Sequence, residues 1–300
     1  MPPARRVSVD VEGHELSLSN LDKVMYPETG FTKGQVIDYY TRVAPAVLPH
    51  LRDRPLTLKR YPNGVDGGHF YEKQCPSHRP DWVRSEPVVL SSKTIQFCVC
   101  DDLATLVWLA NLADLELHPS LSKVPEVERP TIMAFDLDPG PGAGLAECCE
   151  VALLLRDALG HLGLESFPKT SGSKGIQVYV PLNVDDVDYH HGTKLLSNAL
   201  ARHLEAQHPK LIVSSQRKEL RKNRVLIDWS QNDEHKTTVG VYSLRARERP
   251  TVSTPLMWEE VEEGDADALV FATDDVLARV EEHGDLFAPV AELRQELPDL

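Results

Sequence analysis

Two aspartates, two positions apart, stand where a short apolar run meets a loop. The run Ile132 to Leu137 is ended by Pro139-Gly140, which predicts a buried strand with Asp136 and Asp138 at its end. Because side chains alternate across a strand, both carboxylates point the same way. Such a pair repels unless a cation lies between them, and Mg²⁺ or Mn²⁺ with triphosphate oxygens is the usual solution in phosphoryl transfer. The alternative is two solvated aspartates in a strand-to-loop turn.

A second segment, about one helix further along, has the composition of an anion-binding loop. The sequence Thr170-Ser-Gly-Ser-Lys-Gly leads into a predicted strand from Gly175 to Pro181. Its glycines and serines can present backbone N–H groups and hydroxyls, and Lys174 adds charge. The spacing is not that of a Walker A loop. An ordinary turn before a strand is the alternative.

A third segment places one more acid at the end of an apolar run. Val225 to Trp229 predicts a strand, and Asp228 near its end would supply a third metal ligand or merely cap the strand. Further along, Lys236, Arg245 and Arg247 could donate to phosphates, although an exposed cation is usually only solvated.

Hydrophobic periodicity predicts the elements that position these segments. Helices are predicted at Thr32 to Leu48, with Thr32 as the N-cap, and at Leu103 to Leu112, Ala146 to Leu162 and Tyr189 to Ala206. Further strands are predicted at Val7 to Val11, Pro87 to Leu90 and Thr94 to Cys100. The strand–helix–strand order from Ile132 to Pro181 favours a mixed sheet with helices packed against it. The segment Trp258 to Leu293 holds two short helical patterns, and we expect a solvated cover there rather than a site.

The composition places the chain among soluble globular proteins. It has 300 residues, 41% of them hydrophobic and 26% charged, enough for one large domain or two interlocked modules. No apolar stretch approaches the roughly 18 residues that a membrane span requires. The basic start lacks the apolar stretch of a secretory signal. We therefore expect a cytoplasmic protein with no membrane partner.

The five cysteines give no sign of a metal knuckle or a redox motif. No C-x-x-C pair occurs among Cys75, Cys98, Cys100, Cys148 and Cys149, and their odd number argues against a disulfide framework. We expect ordinary reduced cysteines.

The negative charge of the chain is concentrated at one end. The net charge is -14, and from Met257 to Leu300 there are 14 Asp or Glu against Arg279 and Arg294. In contrast, Ser214 to Arg249 holds nine Lys or Arg against five acids. Local patches rather than net charge determine phosphate binding, so a basic face for nucleic acid is compatible with this composition.

The ordered combination of motifs resembles one family, the polymerase domain of bacterial DNA ligase D, within the archaeo-eukaryotic primase superfamily. The motifs that carry the resemblance are Asp136-Leu-Asp-Pro-Gly, Thr170-Ser-Gly-Ser-Lys-Gly, Ile227-Asp-Trp-Ser-Gln-Asn and Tyr242-Ser-Leu-Arg. In the N-terminal half they are Asn20-Leu-Asp-Lys-Val-Met-Tyr-Pro, Thr32-Lys33, Lys59-Arg-Tyr-Pro-Asn-Gly-Val-Asp and Phe70-Tyr-Glu-Lys-Gln. The resemblance runs from about Leu16 to Leu286.

The resemblance implies a role for each of several residues. The metal-binding, catalytic carboxylates would be Asp136, Asp138 and Asp228, with two Mn²⁺ or Mg²⁺ ions as cofactors. The nucleotide would be bound by His118, Ser171, Lys174, Gln231 and Arg245. DNA would be bound by Lys23 and Lys33, at a 5′-phosphate across a gap, and by Lys59, Arg60, Phe70 and Tyr71, on the template. Lys33 also begins a predicted helix whose N-terminal amides favour an anion.

The implied fold is an α+β primase-polymerase domain of two interlocked modules. Residues of about 1–130 would bind DNA, about 131–256 would form an RRM-like mixed sheet carrying the catalytic aspartates, and 257–300 would be an acidic helical tail. The implied activity is template-directed transfer of NTP or dNTP, with ribonucleotides preferred, to a primer 3′ end. The substrate would be gapped or broken DNA with a 5′-phosphate, in end joining or excision repair. Because no ligase or nuclease module follows, we expect a separate ATP-dependent DNA ligase as partner.

One position departs from the family, and two other functions compete. The family reads His where this chain has Gln177, and an amide donates a hydrogen bond but carries no positive charge, so the triphosphate pocket is expected to be tuned differently. A metal-dependent nuclease would also need clustered aspartates, but not the loop around Lys174. A non-catalytic DNA-end-bridging module would keep Lys23 and Lys33 without needing the aspartates.

Overall fold

The computed structural model describes residues 6–90 and 93–298, which fold into a mixture of strands and helices. The strands are β1 (Arg6–Val11), β2 (His14–Ser19), β3 (Val24–Tyr26), β4 (Phe31–Thr32), β5 (Pro55–Arg60), β6 (Phe70–Glu72), β7 (Ser85–Leu90), β8 (Lys93–Val99), β9 (Asp114–Pro119), β10 (Ile132–Pro139), β11 (Phe167–Thr170), β12 (Ile176–Pro181), β13 (Ile212–Val213) and β14 (Val225–Asp228). The helices are α1 (Lys33–Leu51), α2 (Leu103–Asn111), α3 (Leu145–His161), α4 (Lys194–Gln207), α5 (Trp258–Glu263), α6 (Thr273–His283) and α7 (Ala288–Glu292). Among these residues, no helix combines the length and apolar character needed to cross a membrane.

The N-terminal half is built around a five-stranded antiparallel sheet. Its order is β6-β5-β8-β7, with β9 paired to β5 as well. Helix α1 begins at the predicted Thr32, whose side chain accepts from the Gln35 amide while the Gln35 side chain accepts from the Thr32 amide. Its predicted apolar face is buried, including Val36, Tyr40 and Val43, and packs against α2. The predicted helices in this half are therefore confirmed.

The second half is a mixed sheet that holds the aspartates. Its order is β11-β12-β10-β14-β13, with only β13 and β14 parallel. The central strand β10 places Asp136 opposite Gln177 of β12 on one side and opposite Asp228 of β14 on the other. The alternate residues Phe135 and Leu137 are fully buried, and α3 packs against β10. This register confirms the predicted mixed sheet and its aspartate-bearing strand.

The two halves are joined by tyrosines of α1. The hydroxyl of Tyr39 donates to the carbonyl of Tyr242 at 2.8 Å, and that of Tyr40 donates to the carbonyl of Leu115 at 2.7 Å. Both tyrosines are buried. Leu115 lies on β9, which carries His118, and Tyr242 lies three residues before Arg245. Helix α1 therefore holds the segments of these two predicted nucleotide-binding residues at a fixed distance.

The acidic C-terminal segment is more than a solvated cover, which corrects the expectation. It forms three helices rather than two, and Val276, Phe287 and Val290 are buried. Asp285 accepts a hydrogen bond from the Tyr242 hydroxyl at 2.7 Å and pairs with His50 of α1 at 2.8 Å. The sequence pattern missed this because the buried residues are few among many acids.

The prediction of five reduced cysteines is wrong for two of them. Cys75 and Cys98 form a disulfide, with their Cα atoms 4.9 Å apart. The Cys75 amide donates to the Gln96 carbonyl of β8, and this pairing brings the two thiols together across 23 positions of sequence. The other three cysteines are free and buried.

Candidate active site

One cavity of about 300 Å³ collects most of the predicted chemical groups. It lies where the ends of β10 and β11 meet β9 and the segment that follows β14. Of the predicted residues, those that line it are Asp136, Asp138, His118, Ser171, Lys174, Gln231, Arg245 and Tyr71. Residues separated by more than 120 positions thus form one pocket that is lined by both acids and cations.

The two aspartates of β10 line this cavity, where burial and neighbouring carboxylates disfavour their ionised forms. Burial, and then the neighbouring charge of Asp138, raises the pKa of Asp136, while a hydrogen bond from Gln177 acts in the opposite direction. Asp138 is more exposed than Asp136, and partial burial in the cavity, followed by the charge of Asp228, raises the pKa of Asp138. A nearby cation would remove this repulsion, as expected for carboxylates that hold a metal.

The third aspartate, Asp228, lies beside the cavity but is not among its lining residues. It is 8% exposed at the end of β14, and both of its carboxylate oxygens accept hydrogen bonds. Oδ1 accepts from Gln216 at 2.7 Å and from the Ser230 hydroxyl at 2.6 Å, and Oδ2 accepts from Gln231 at 3.0 Å. Two predicted carboxylates therefore face the cavity directly, and the third adjoins them through the strand register.

The donor set fits a hard divalent cation. Across the described residues, no three His, Cys, Asp or Glu side chains already stand in a metal-ligating arrangement. Asp136 and Asp138 nevertheless offer carboxylate oxygens in one pocket, which are the ligands that Mg²⁺ and Mn²⁺ prefer. Asp228 would join them by exchanging the hydrogen bonds that it now accepts. We therefore keep all three as the candidate metal ligands.

The loop after β11 is shaped around Ser171. The Ser171 hydroxyl accepts from the amides of Ser173 at 3.3 Å and Gly175 at 3.1 Å, and the Ser171 amide donates to the Gly175 carbonyl. Gly172 has a φ of +66°, and a Cβ there would lie 2.6 Å from the Val252 backbone. Glycine is therefore required, and Lys174 remains exposed at the cavity mouth.

Arg245 ties this loop to the opposite wall. Its guanidinium donates to the Ser171 carbonyl at 2.5 Å, and its Nε lies 3.4 Å from Oε2 of Glu116. Arg247, two residues further on, donates to the Ser173 hydroxyl and also lines the cavity. The loop and the two arginines make a cationic wall that suits a triphosphate.

On strand β9, His118 faces the cavity beside a buried acid. Its Nε2 lies 3.1 Å from Oε2 of Glu116, and its ring meets Tyr71 edge-on with centroids 6.0 Å apart. Burial lowers the pKa of His118 despite the raising influence of Glu116. At Glu116 the balance is reversed: burial alone would raise its pKa, but His118, Arg245 and Lys59 together hold it well below the usual range.

The predicted template face lies on β5 and β6. Phe70 and Tyr71 are 43% and 59% exposed, so they are surface aromatics, available for base stacking. The guanidinium of Arg60 lies 5.2 Å from the Phe70 ring centre and pairs with Glu72 at 2.7 Å, while the Lys59 ammonium pairs with Glu116 at 2.9 Å. Only Tyr71 of the four lines the cavity.

The predicted 5′-phosphate residues lie together at the start of α1. Lys23 lines a separate groove of about 560 Å³, where its ammonium donates to the Pro62 carbonyl at 2.5 Å. Lys33 is buried, and its ammonium donates to the Ser19 carbonyl at 2.7 Å. The main-chain amide of Lys33 donates to the Lys23 carbonyl, which places the two lysines side by side.

One part of the expectation for this end of α1 is wrong. The sequence predicts that the first amides of this helix favour an anion, but the amide of Lys33 donates to the carbonyl of Lys23, that of Gly34 to the carbonyl of Leu21 and that of Gln35 to the hydroxyl of Thr32. Capping by the preceding turn therefore leaves lysine side chains, rather than amides, as the anion donors.

The sequence predicts no role for Glu116, and it indicates Arg247 only as a possible phosphate donor. The signal for Glu116 was its position two residues before His118, since alternate strand residues share a face.

Comparison with known proteins relates the chain to one family. Residues 32–287 match the family model described as LigD, primase-polymerase domain. The chain is 41% identical over 275 residues to the multifunctional non-homologous end joining protein LigD of Mycolicibacterium smegmatis, covering 91% of this chain and 36% of the relative. It is 32% identical over 270 residues to the bifunctional non-homologous end joining protein LigD of Bacillus subtilis, covering 90% and 43%. The chain thus spans less than half the length of these relatives.

A solved structure extends the similarity to three dimensions. It is the polymerase domain from Mycobacterium tuberculosis ligase D in complex with DNA. It matches this fold with a TM-score of 0.88 at 39% sequence identity, covering 93% of this chain and 99% of that chain.

Proposed function

The chain belongs to the LigD primase-polymerase domain family, and on that premise we propose that it is a template-directed polymerase acting on primer 3′ ends. The observation that supports this best is the single cavity that is lined by Asp136 and Asp138 together with Lys174 and Arg245. Carboxylates for metal ions beside cations for phosphates are what nucleotidyl transfer requires.

The acidic side of the cavity would serve the reacting atoms. Asp136, Asp138 and Asp228 would hold two divalent ions, Mn²⁺ or Mg²⁺. Such ions would lower the pKa of the primer 3′-hydroxyl and neutralise charge on the leaving pyrophosphate. Gln177, which lies opposite Asp136 in the sheet register, lowers the pKa of Asp136 and thereby favours its ionised form, which is the form that binds a cation.

The cationic side would hold the triphosphate of an NTP or dNTP. Ser171 shapes the loop, while Lys174, Arg245 and His118 donate to phosphate oxygens, with Gln231 at the edge beside Asp228. Arg245 is held at the Ser171 carbonyl, so the loop and the arginine are already positioned for the ligand. Such preorganisation lowers the entropic cost of binding in the reactive geometry.

DNA would approach across β5, β6 and the start of α1. Phe70 and Tyr71 stack on template bases, with Lys59 and Arg60 beneath them, and Lys23 and Lys33 bind the 5′-phosphate on the far side of a gap. Because Tyr71 also lines the catalytic cavity, the templating base and the incoming nucleotide would meet there.

The same proposal covers the biological setting. The relatives are end joining proteins, so gapped or broken ends in non-homologous end joining are the substrates we infer, with a separate ATP-dependent DNA ligase to seal the product. Ribonucleotides are proposed as the preferred substrates, with Mn²⁺ as the preferred ion. We propose that the protein acts in the cytoplasm.

A labelled primer annealed to a longer template, with Mn²⁺ and NTPs, tests this function. A polymerase lengthens the primer, a nuclease shortens it, and an end-bridging module only retards it in a gel. Lengthening that disappears in Asp138→Ala supports the proposal. Shortening of the primer would instead indicate a nuclease, and retardation in the gel without any change in length would indicate an end-bridging module.

A further inference from the structure

A buried carboxylate on β9 connects the two functional faces. Glu116 is 2% exposed and lies two residues before His118 on the same strand, so both side chains point to the same face of the sheet. Its Oε1 accepts from the Ala246 amide at 3.0 Å and from the Tyr61 hydroxyl at 3.3 Å. Its Oε2 accepts from Lys59 at 2.9 Å and lies 3.1 Å from Nε2 of His118.

The partners of Glu116 come from two sides of the molecule. Lys59 is its cross-strand neighbour on β5, within the proposed template face, and its ammonium also lies 5.5 Å from the Tyr71 ring centre. His118 and Arg245 line the cavity that would hold the triphosphate, and Nε of Arg245 lies 3.4 Å from Oε2 of Glu116. One buried charge therefore orients side chains that would contact two different ligands.

We propose that Glu116 is a positioning residue that couples the template face to the nucleotide pocket. This inference rests on the proposed polymerase function. A base stacked on Tyr71 constrains Lys59, Lys59 constrains Glu116, and Glu116 in turn fixes the orientation of His118 and Arg245. Primer–template DNA then tightens nucleotide binding, and by linkage the nucleotide tightens DNA binding.

If Glu116 only neutralised charge, its removal would change nucleotide affinity in the opposite direction. If Glu116 merely offset excess positive charge, its removal would leave His118 and Arg245 more attractive to a triphosphate. If it positions them, removal leaves partly buried donors without a fixed acceptor and weakens nucleotide binding. The sign of the change in nucleotide affinity therefore separates the two roles.

The test uses Glu116→Gln, which keeps the shape and removes the charge. Binding of a fluorescent ATP analogue with Mn²⁺ is measured with and without a primer–template whose 3′ end is dideoxy-terminated, and steady-state kinetics use the extendable primer. The matched control is Glu72→Gln, which removes the Arg60 partner on the template face but leaves the Glu116 contacts in place. Melting temperatures of all variants are recorded.

We expect Glu116→Gln to raise KM for NTP about tenfold or more while kcat changes less than about threefold. The tightening of nucleotide binding by DNA should fall to nearly none in this variant and persist in Glu72→Gln. Tighter nucleotide binding in Glu116→Gln, or undiminished coupling to DNA, would overturn the proposal.

A second variant keeps the proposal testable if Glu116→Gln does not fold. Lys59→Met removes the first link from the template side and should also abolish the effect of DNA on nucleotide affinity. If both variants fold, their combination should be no worse than either alone, because they interrupt one chain of contacts. Full coupling in folded Lys59→Met would refute the inference. A wild-type protein that neither binds nucleotide nor extends a primer would instead refute the proposed function.

Discussion

Lys33 lies almost fully buried at the start of α1, where its charge works against the stability of the DNA-free protein. It is 5% exposed, and its ammonium has a hydrogen bond to the Ser19 carbonyl at 2.7 Å. Burial, followed by the charges of Lys23 and Arg60, lowers its pKa from 10.5 to about 8. At ~1.4 kcal/mol per pH unit, that difference corresponds to about 3 kcal/mol of folding free energy lost at neutral pH.

The sign and the pH window follow from the lowered pKa. Below about pH 8 the lysine is charged in both the folded and the unfolded chain, so the full penalty is present. Between pH 8 and 10.5 the folded form is neutral while the unfolded form still binds a proton, and the penalty fades as the pH rises. Lys33→Met removes the penalty but also a hydrogen bond of about 1 kcal/mol. We expect a net gain of about 2 kcal/mol at pH 7 and no gain near pH 10.

Urea unfolding of the wild type and Lys33→Met at both pH values measures this. Lys23→Met is the control, because that side chain is only partly buried and its loss should change stability by less than about 0.5 kcal/mol. The stabilised Lys33→Met should bind a 5′-phosphorylated gap no better than a 5′-hydroxyl gap. Destabilisation at pH 7, or an equal gain at both pH values, would refute the electrostatic reasoning.

Three further predictions concern substrates and metal ions. Asp136→Ala or Asp138→Ala should abolish primer extension but leave DNA binding near wild type, and more than a few percent residual activity would contradict the carboxylate assignment. The wild type should bind a gapped duplex with a 5′-phosphate about tenfold or more tightly than one with a 5′-hydroxyl, since charge-assisted contacts are strong. Lys23→Ala combined with Lys33→Ala should erase that preference, and its persistence would place the phosphate elsewhere. Comparing kcat/KM for ATP and dATP opposite template T should favour ATP, and a preference for dATP would exclude ribonucleotide selection.

Sequence alone predicts those features that depend on local periodicity. Alternation along Ile132 to Leu137 is sufficient to place Asp136 and Asp138 on one face, and the structure has both at the cavity. The Thr32 cap of α1 and the helix that becomes α3 are predicted for the same reason, since caps and apolar spacing act within one turn.

The remaining features depend on contacts between distant residues. Nothing local distinguishes Glu116 from an ordinary strand residue, because its role arises from Lys59 and Arg245, which other segments supply. The Cys75–Cys98 disulfide likewise requires the pairing with β8. The sequence also does not reveal that the first amides of α1 already donate to the carbonyls of Leu21 and Lys23, because the turn that brings these carbonyls close is visible only in three dimensions.

The central claim is that this cavity carries out template-directed nucleotidyl transfer. The most direct measurement is incorporation of a single labelled NTP into a one-nucleotide gap with a 5′-phosphate, using each of the four template bases in turn, with pyrophosphate release measured in parallel. We expect incorporation of the complementary nucleotide only, one pyrophosphate per addition, and neither product with Asp138→Asn. Incorporation that ignores the template base, or that persists at the wild-type rate in Asp138→Asn, would contradict the account.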